Sequence, residues 1–550
     1  MGWLVSVYRT VLEQKVKERR QSVEEFAEFV ETFAREHGEP GTLSARHLQR
    51  LISGNRADGA PLGPVRAVTA RLLERIFGLD IDVLLSPPRD TLGTGATEVG
   101  TPSPEAEPAS GTARETVALA PAATFEHAGL SFAFDWLDAN TGWLPQTTRT
   151  KVAVRIEERA TQGEADRSRR RSRTDRSSLA QGIAAYYDRG LPGHDVYRAR
   201  CDHREIVTTV LTRPEWLDLA CPLGPETDLL RLDDARLSTP PVHAGPQHAI
   251  ERLAEAVESG VRFTDLPLYR LLDIDIRGGR IAGSLGLASF VEYALTMDLL
   301  EHELVDAVAR DATPWHGTLS LRDRYLPTLT AALDFRSRLC VGGVVSLCAI
   351  ARPTDGYRPA DYTLLVQERS AQVLNAARRL AVIPKGFHEP MTDVRADARL
   401  GATLRREMEE ELFGRRDVDS TGGGNRAADP MHFGRLSEPM RWLTEEPGRL
   451  QTECTGFGLN LISGNYEFAS LIVIDDEDFW RKYGGAIEAN WETHGLRLYS
   501  SLDRRLLAEL ISDESWSNEG LFALLQGLRR LGEIGGDRVD LPRIESYGKR

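Results

Sequence analysis

The sequence predicts a multidomain α+β protein, and three observations support this fold class. Helical hydrophobic periodicity marks the first residues, a stretch rich in Pro, Gly, Ala, Thr and Ser follows, and β-like runs alternate with amphipathic helices in the rest. The composition, 41% hydrophobic and 27% charged over 550 residues, is that of a globular protein. We expect five consecutive regions: an N-terminal domain at 1–85, a linker at 86–125, a helical segment at 126–190, a mixed α/β region at 191–335 and a C-terminal domain at 336–550.

Cysteine usage and hydropathy indicate the compartment. The five cysteines contain no CxxC pair, so neither a zinc site nor a disulfide framework is expected. The N-terminus carries no basic-plus-apolar signal segment, and no uncharged run approaches the length of a membrane span. These features predict a cytoplasmic protein that has no membrane partner.

The N-terminal region is predicted to be an all-α bundle of amphipathic helices. Ser22 begins a helix with Glu25 at the capping-box position, and another helix runs from Val65 to Phe77. Between them, a short helix from Ser44 to Ile52 turns Leu48, Leu51 and Ile52 inward and Arg46, His47, Gln49 and Arg50 outward. Residues 46–75 contain six Arg against one Asp and one Glu, a local charge of +4, although the whole chain carries –14.

This order of helices, with Arg and Gln exposed on the short one, resembles the helix-turn-helix domains of XRE-like bacterial repressors. The resemblance covers about residues 8–85 and implies that Arg46, His47, Gln49 and Arg50 contact DNA. Arg and Gln are the side chains that pair bidentately with guanine and adenine in the major groove. We also expect a homodimer, because residues 1–88 alone should bind DNA weakly. A small helical docking domain with solvated arginines is the alternative.

Residues 86–125 contain almost no large apolar side chains, and we expect a flexible linker. An arginine cluster follows between Arg167 and Arg176. It could contact the phosphates of a nucleic acid, or it could form ion pairs with nearby carboxylates. Further on, β-like runs are predicted at 206–211 and 229–232, and helices at 248–258 and 288–311. No catalytic motif is found in 191–335, and His203, His243 and His248 lack the mutual spacing of metal ligands.

The C-terminal region contains the strongest chemical signal, the segment Arg406-Glu407-Met408-Glu409-Glu410-Glu411-Leu412-Phe413-Gly414. On an α-helix, Glu407, Glu410 and Glu411 stand at i, i+3 and i+4, close enough for one hard cation to bridge them. A buried stripe is predicted at Leu400, Leu404, Met408 and Leu412, and Glu409 is predicted to point to water. A solvated Glu-rich helix is the alternative.

These residues resemble the second half of the Nudix box, which reads Arg-Glu-apolar-x-Glu-Glu-x-Gly. The closing glycine is displaced by one position, because Phe413 occupies its place and Gly414 follows. The first half is altered, because its candidate glycine, Gly386, lies farther from Arg406 than in the family and Thr392 replaces a glutamate. Predicted strands at 344–351, 362–367 and 468–474 flank the two halves. The resemblance covers about residues 336–550 and implies a Nudix-like α/β/α sandwich.

The resemblance also implies a ligand set. Glu407, Glu410 and Glu411 would hold Mg²⁺ or Mn²⁺ with Arg406 orienting them as part of the catalytic group, and Glu467 on a later strand would complete the metal shell. Gly386 and Phe387 would lie against the ligand, a nucleotide-type small molecule with a diphosphate.

Three function classes follow from these resemblances. The first is a DNA-binding transcriptional regulator whose C-terminal domain binds a nucleoside-diphosphate-type ligand with a divalent metal. The second is an active Nudix hydrolase, Mg-dependent, whose N-terminal domain serves for docking. The third is an interaction protein that uses both folds as scaffolds. We favour the regulator, because a helix-turn-helix-like domain on a flexible linker is hard to explain in a hydrolase and an altered box is easy to explain in a sensor.

Overall fold

The computed structural model describes residues 10–18, 26, 30, 33, 48, 51–52, 67–77, 81–86, 130–161, 171, 174–233, 245–261, 266–310, 312–370, 373, 376–415, 431–484, 487 and 493–547. The chain divides into two compact units, Met1–Thr116 and Val117–Arg550. No helix among the described residues is long and apolar enough to cross a membrane.

In the first unit every described element is helical. The helices with known bounds are α1 (Val11–Glu18), α2 (Ala67–Phe77) and α3 (Ile81–Leu85). One apolar cluster joins them to the isolated helical positions, and it buries Leu48, Leu51 and Ile52, the three side chains predicted to turn inward. The four residues predicted to contact DNA, Arg46, His47, Gln49 and Arg50, lie outside the described residues.

The second unit mixes helices and strands. Its helices are α4 (Ser131–Thr141), α5 (Thr147–Thr161), α6 (Arg176–Tyr186), α7 (Pro246–Ser259), α8 (Phe290–Ala294), α9 (Leu299–Val308), α10 (Ser320–Tyr325), α11 (Leu329–Leu333), α12 (Leu400–Glu407), α13 (Glu438–Glu445), α14 (Glu477–Tyr483), α15 (Arg504–Ile511) and α16 (Asn518–Ile534). Its strands are β1 (Asp195–Cys201), β2 (Arg204–Thr212), β3 (Cys221–Pro222), β4 (Asp228–Leu232), β5 (Pro267–Arg277), β6 (Arg280–Ser289), β7 (Gly342–Arg352), β8 (Asp361–Arg369), β9 (Leu380–Val382), β10 (Lys385–Phe387), β11 (Leu450–Asn460), β12 (Asn465–Ile474), β13 (Thr493–Ser500) and β14 (Ile544–Ser546).

An eleven-stranded mixed sheet organises this unit. The strand order is β13-β8-β7-β12-β11-β2-β1-β14, with β10, β3 and β9 pairing with β7, β11 and β8. The central strands β7 and β12 are parallel, and the other pairs are antiparallel. A second sheet has three strands in the order β4-β6-β5. Strands β1 and β2 come from the region predicted as a separate middle domain, so this region shares one sheet with residues 336–550.

Helices cover both faces of the large sheet because its central strands are apolar on both sides. Val345, Leu347 and Leu471 face one core with α15 and α16. Their strand neighbours Val344 and Phe468 face the other core, which contains Met408, Leu412 and Phe479. Alternation along the strands therefore fixes which face each side chain occupies.

The predicted strands at 344–351, 362–367 and 468–474 all lie within observed strands. The prediction of one long helix over 288–311 was wrong. The chain stays in β6 until Ser289, whose side chain caps the short α8 by accepting from the Glu292 N–H, and a turn then separates α8 from α9. Apolar spacing alone does not reveal that break, since both short helices bury leucine, valine and phenylalanine.

Candidate functional site

The segment from Arg406 to Gly414, called the acidic segment below, lies where α12 widens into a π-helical turn at Met408–Leu412. The predicted stripe of Leu400, Leu404, Met408 and Leu412 is buried, which anchors the segment on the sheet. In a π turn the hydrogen bonds run from residue i to i+5, so the side chains after Met408 point differently from those of a regular α-helix. Such turns are often found at functional sites.

The turn corrects the prediction for Glu409. Its side chain is completely buried, and Glu409 Oε1 accepts a hydrogen bond from the Ser437 N–H at 2.9 Å. The Arg415 guanidinium lies 3.7 Å from Oε2. Glu407, Glu410 and Glu411 are buried as well, so none of the four glutamates is exposed to solvent. The alternative of a solvated Glu-rich helix is therefore wrong.

Arg406 is the principal cation of the acidic segment. It pairs with Glu389, donates to Glu407 Oε1 at 2.6 Å and donates to the Phe387 carbonyl at 3.0 Å. Burial would lower the pKa of the Arg406 guanidinium, but the charges of Glu389, Glu407 and Glu410 outweigh it and hold the pKa above its ordinary value. Arg406 thus joins the acidic segment to the strand that contains Gly386.

Gly386 and Glu407 are in direct contact. A β-carbon added at Gly386 would overlap with the carboxylate of Glu407, so only glycine fits against that carboxylate in this arrangement. The two halves of the altered box, distant in sequence, therefore meet in space. The additional residues between them form a turn in which Asp397 Oδ2 accepts hydrogen bonds from the backbone N–H groups of Met391, Thr392 and Asp393.

Lys385 connects the two faces of the sheet. Its backbone N–H donates to Glu411 Oε2 at 2.6 Å, and its Nζ donates to Glu519 Oε1 at 2.5 Å. Glu519 lies in the first turn of α16 and also accepts from Asn460 Nδ2 at 3.1 Å. The Glu411 contact lies at the acidic segment, whereas the Glu519 contact lies beside α16.

Glu467 lies in β12 and is buried. Strand alternation places it with Ala469 and Leu471 on the face that carries α16, whereas Gly386 meets Glu407 on the opposite face. Burial and the neighbouring Glu519 raise the pKa of Glu467 to about 8, against the opposing effect of Lys385. The structure thus places Glu467 with Glu519 and Lys385. Although Glu467 was expected to complete the metal shell, the structure does not bring it to the group of Glu407, Glu410 and Glu411, because it lies on the opposite face of the sheet.

His388 lies beside these groups and is completely buried. Burial lowers the pKa of His388 to about 3, and the Arg406 charge acts in the same direction. Its Nδ1 lies 3.1 Å from the Tyr466 hydroxyl. The imidazole is therefore neutral at physiological pH and positions Tyr466 without carrying charge.

The acidic segment supplies carboxylates, which are the ligand type that Mg²⁺ prefers in proteins. Among the described residues, no group of three or more His, Cys, Asp or Glu side chains is arranged to hold a metal ion. Mg²⁺ usually keeps several waters and is bound by one or two carboxylates together with the phosphates of its ligand. Glu407 and Glu411 are hard carboxylates beside β10, and each already accepts a hydrogen bond, Glu407 from Arg406 and Glu411 from the Lys385 N–H.

Sequence reasoning missed several groups that the fold brings to this region. Glu389 follows Gly386 closely and could have been recognised as the partner of Arg406. Glu519 is more than a hundred residues from the acidic segment, and no local pattern indicates it. In the arginine cluster, Arg171 pairs with Asp306 and Glu255, and Arg176 pairs with Glu514, so these two form long-range ion pairs.

No model of a known protein family matches this chain, and no curated protein is significantly similar to it.

Proposed function

We propose that this chain is a DNA-binding transcriptional regulator whose residues 336–550 form a Nudix-like domain that binds a nucleoside-diphosphate-type ligand with a divalent metal. The contact between Gly386 and Glu407 carries this proposal. It joins the two halves of the altered box, as a diphosphate site built on that box requires.

Arg406 supports binding rather than rapid hydrolysis. A general base must be free to accept a proton from water, but Glu407 is buried and paired with a guanidinium. The ion would neutralise the diphosphate charge when it is bound. Glu407 and Glu410 would provide negative charge for the ion.

Calorimetry and thermal unfolding of the full chain test the ligand. ADP-ribose, UDP-glucose and NAD serve as probes, each with MgCl₂ and with EDTA. At one hundred times its Kd a probe stabilises the folded state by about 2.7 kcal/mol. We expect that shift with at least one probe, only with Mg²⁺, and its loss in the Glu407→Gln/Glu410→Gln variant. Exposed Glu226→Gln is the matched control.

Two results would contradict the proposal. If no probe binds the wild-type chain, or if the double variant binds the probe and Mg²⁺ as tightly as Glu226→Gln does, the acidic segment is not the site. Release of a mononucleotide product by the wild-type chain would instead identify the active hydrolase.

Selection of DNA sequences by the full chain tests the regulator. We expect an enriched site, and Arg46→Ala, Gln49→Ala and Arg50→Ala should each cost about 1–3 kcal/mol on it. A sensor must also change its operator affinity with ligand, by about 5- to 150-fold for a typical coupling. Unselective binding that is insensitive to these substitutions would identify a docking domain.

A further inference from the structure

A cavity of about 260 Å³ lies between α7 and α9, away from the acidic segment. It is large enough for several waters or for a small metabolite. Four positions of α7 and four of α9 line it at helical spacing, which shows that the polar faces of two helices meet there: His248, Glu251, Arg252, Glu255, Leu299, His302, Glu303 and Asp306.

The carboxylates of this cavity already have donors. Glu255 Oε1 accepts from Arg171 at 2.8 Å, and Asp306 Oδ2 accepts from Arg171 Nη2 at 2.7 Å. Glu303 accepts from the backbone N–H groups of Leu321 and Arg322 at 2.8 and 3.0 Å. A cationic ligand would have to displace these donors.

The pairing around Glu255 is strong enough to keep it ionised. Burial would raise its pKa, but the hydrogen bond with His302 and the charges of His302, Arg171 and Arg252 hold the pKa of Glu255 well below its usual range. The carboxylate is therefore committed to its partners across the physiological pH range.

Two basic side chains that line the cavity differ from the ion-paired Arg171 and Arg252. Arg310 and His248 line the cavity and are exposed, and within the described part of the chain neither forms an ion pair. Thr318 also lines the cavity. An arginine suits carboxylate and phosphate groups because its planar guanidinium presents paired N–H donors.

We propose that this cavity binds a small anion bearing carboxylate or phosphate groups, with Arg310 and His248 as its contacts. The ion pairs of Arg171 and Arg252 line the same cavity, and the anion sits where the exposed Arg310 and His248 line it. This site is independent of the metal and of Gly386, so it would be a second ligand site on the same unit.

Titration of the full chain with succinate and with inorganic phosphate tests the site. The protein is freed of metal on a chelating resin beforehand, and NaCl is matched in ionic strength, because salt screens exposed charges. Calorimetry should show saturable binding of one probe, and the probe that binds identifies the carboxylate or phosphate class. We expect Arg310→Gln to weaken that binding about tenfold, since a hydrogen bond between charged groups is worth about that much. His248→Asn should weaken it less.

Arg505→Gln is the matched control, because Arg505 is an exposed arginine on α15 that does not line the cavity. It should bind the probe as the wild type does. Absence of saturable binding by both probes, or equal affinity in Arg310→Gln and Arg505→Gln, would overturn the proposal. Both variants change exposed side chains, so circular dichroism should show the same folded signal in each.

Discussion

Buried carboxylates occupy both faces of the large sheet, and the two sets are neutralised differently. On the face with α12, Glu389 and Glu407 share the guanidinium of Arg406. On the face with α16, Glu467 lies near a second carboxylate, Glu519, while the ammonium of Lys385 is bonded to Glu519. Glu407 and Glu467 are similarly buried, but Glu407 is paired directly with a guanidinium, whereas burial and the nearby Glu519 drive Glu467 towards the neutral form.

The strongest test of this comparison removes the cation from the first face. In Arg406→Met, Glu389 and Glu407 lose a buried partner, and breaking such a pair costs about 3–5 kcal/mol. We expect that loss in the free energy of unfolding measured with urea. Arg405→Met is the control on the same helix, because Arg405 is exposed, and it should change stability by less than about 0.5 kcal/mol. Equal effects of the two substitutions would mean that the Arg406 pairs contribute little.

On the face with α16, the contribution of Glu467 to the free energy of unfolding should depend on pH. A carboxyl whose folded pKa lies above its unfolded value, as for Glu467 at about 8, stabilises the fold when protonated. That contribution is complete below the unfolded pKa of about 4.3 and is lost as pH rises to about 8. Glu467→Gln should therefore gain stability over the wild type across this window, on the order of 3 kcal/mol at its upper end.

Urea unfolding at several pH values measures the difference between Glu467→Gln and the wild type. Glu226→Gln, on the surface, should show no such pH-dependent difference. A difference that stays constant between pH 5 and pH 8 would show that Glu467 does not change its ionisation on folding in this range.

The smallest expected effect comes from the contact of Gly386 with Glu407. A methyl group at Gly386 would force the Glu407 carboxylate away from Arg406, and overpacking of this kind costs about 1–3 kcal/mol. Gly386→Ala should also weaken Mg²⁺-dependent probe binding. The loss in binding free energy should exceed the loss in the free energy of unfolding. Gly356→Ala is the control, because a β-carbon there would meet nothing within 4 Å. Unchanged stability and probe binding in Gly386→Ala would show that the contact is not needed.

The local pattern of apolar residues was sufficient to predict secondary structure and burial where its periodicity was strong. The stripe from Leu400 to Leu412 is buried as predicted, and the strands at 344–351 and 468–474 formed because branched apolar residues dominate them. Pattern failed at 288–311, where Ser289 ends a strand and caps a short helix. It also failed at Glu409, because a regular α-helix was assumed where the chain forms a π turn.

The sequence by itself determined the mixed α+β class, the buried stripe of α12 and the concentration of carboxylates after Arg406, since these depend on residues close along the chain. Only the tertiary structure decided which cation each carboxylate meets. Arg406 reaches Glu389 and Lys385 reaches Glu519 because β10 lies between the acidic segment and α16. The ionisation of a buried group depends on distances of a few ångströms between elements far apart in sequence, and no local pattern contains those distances.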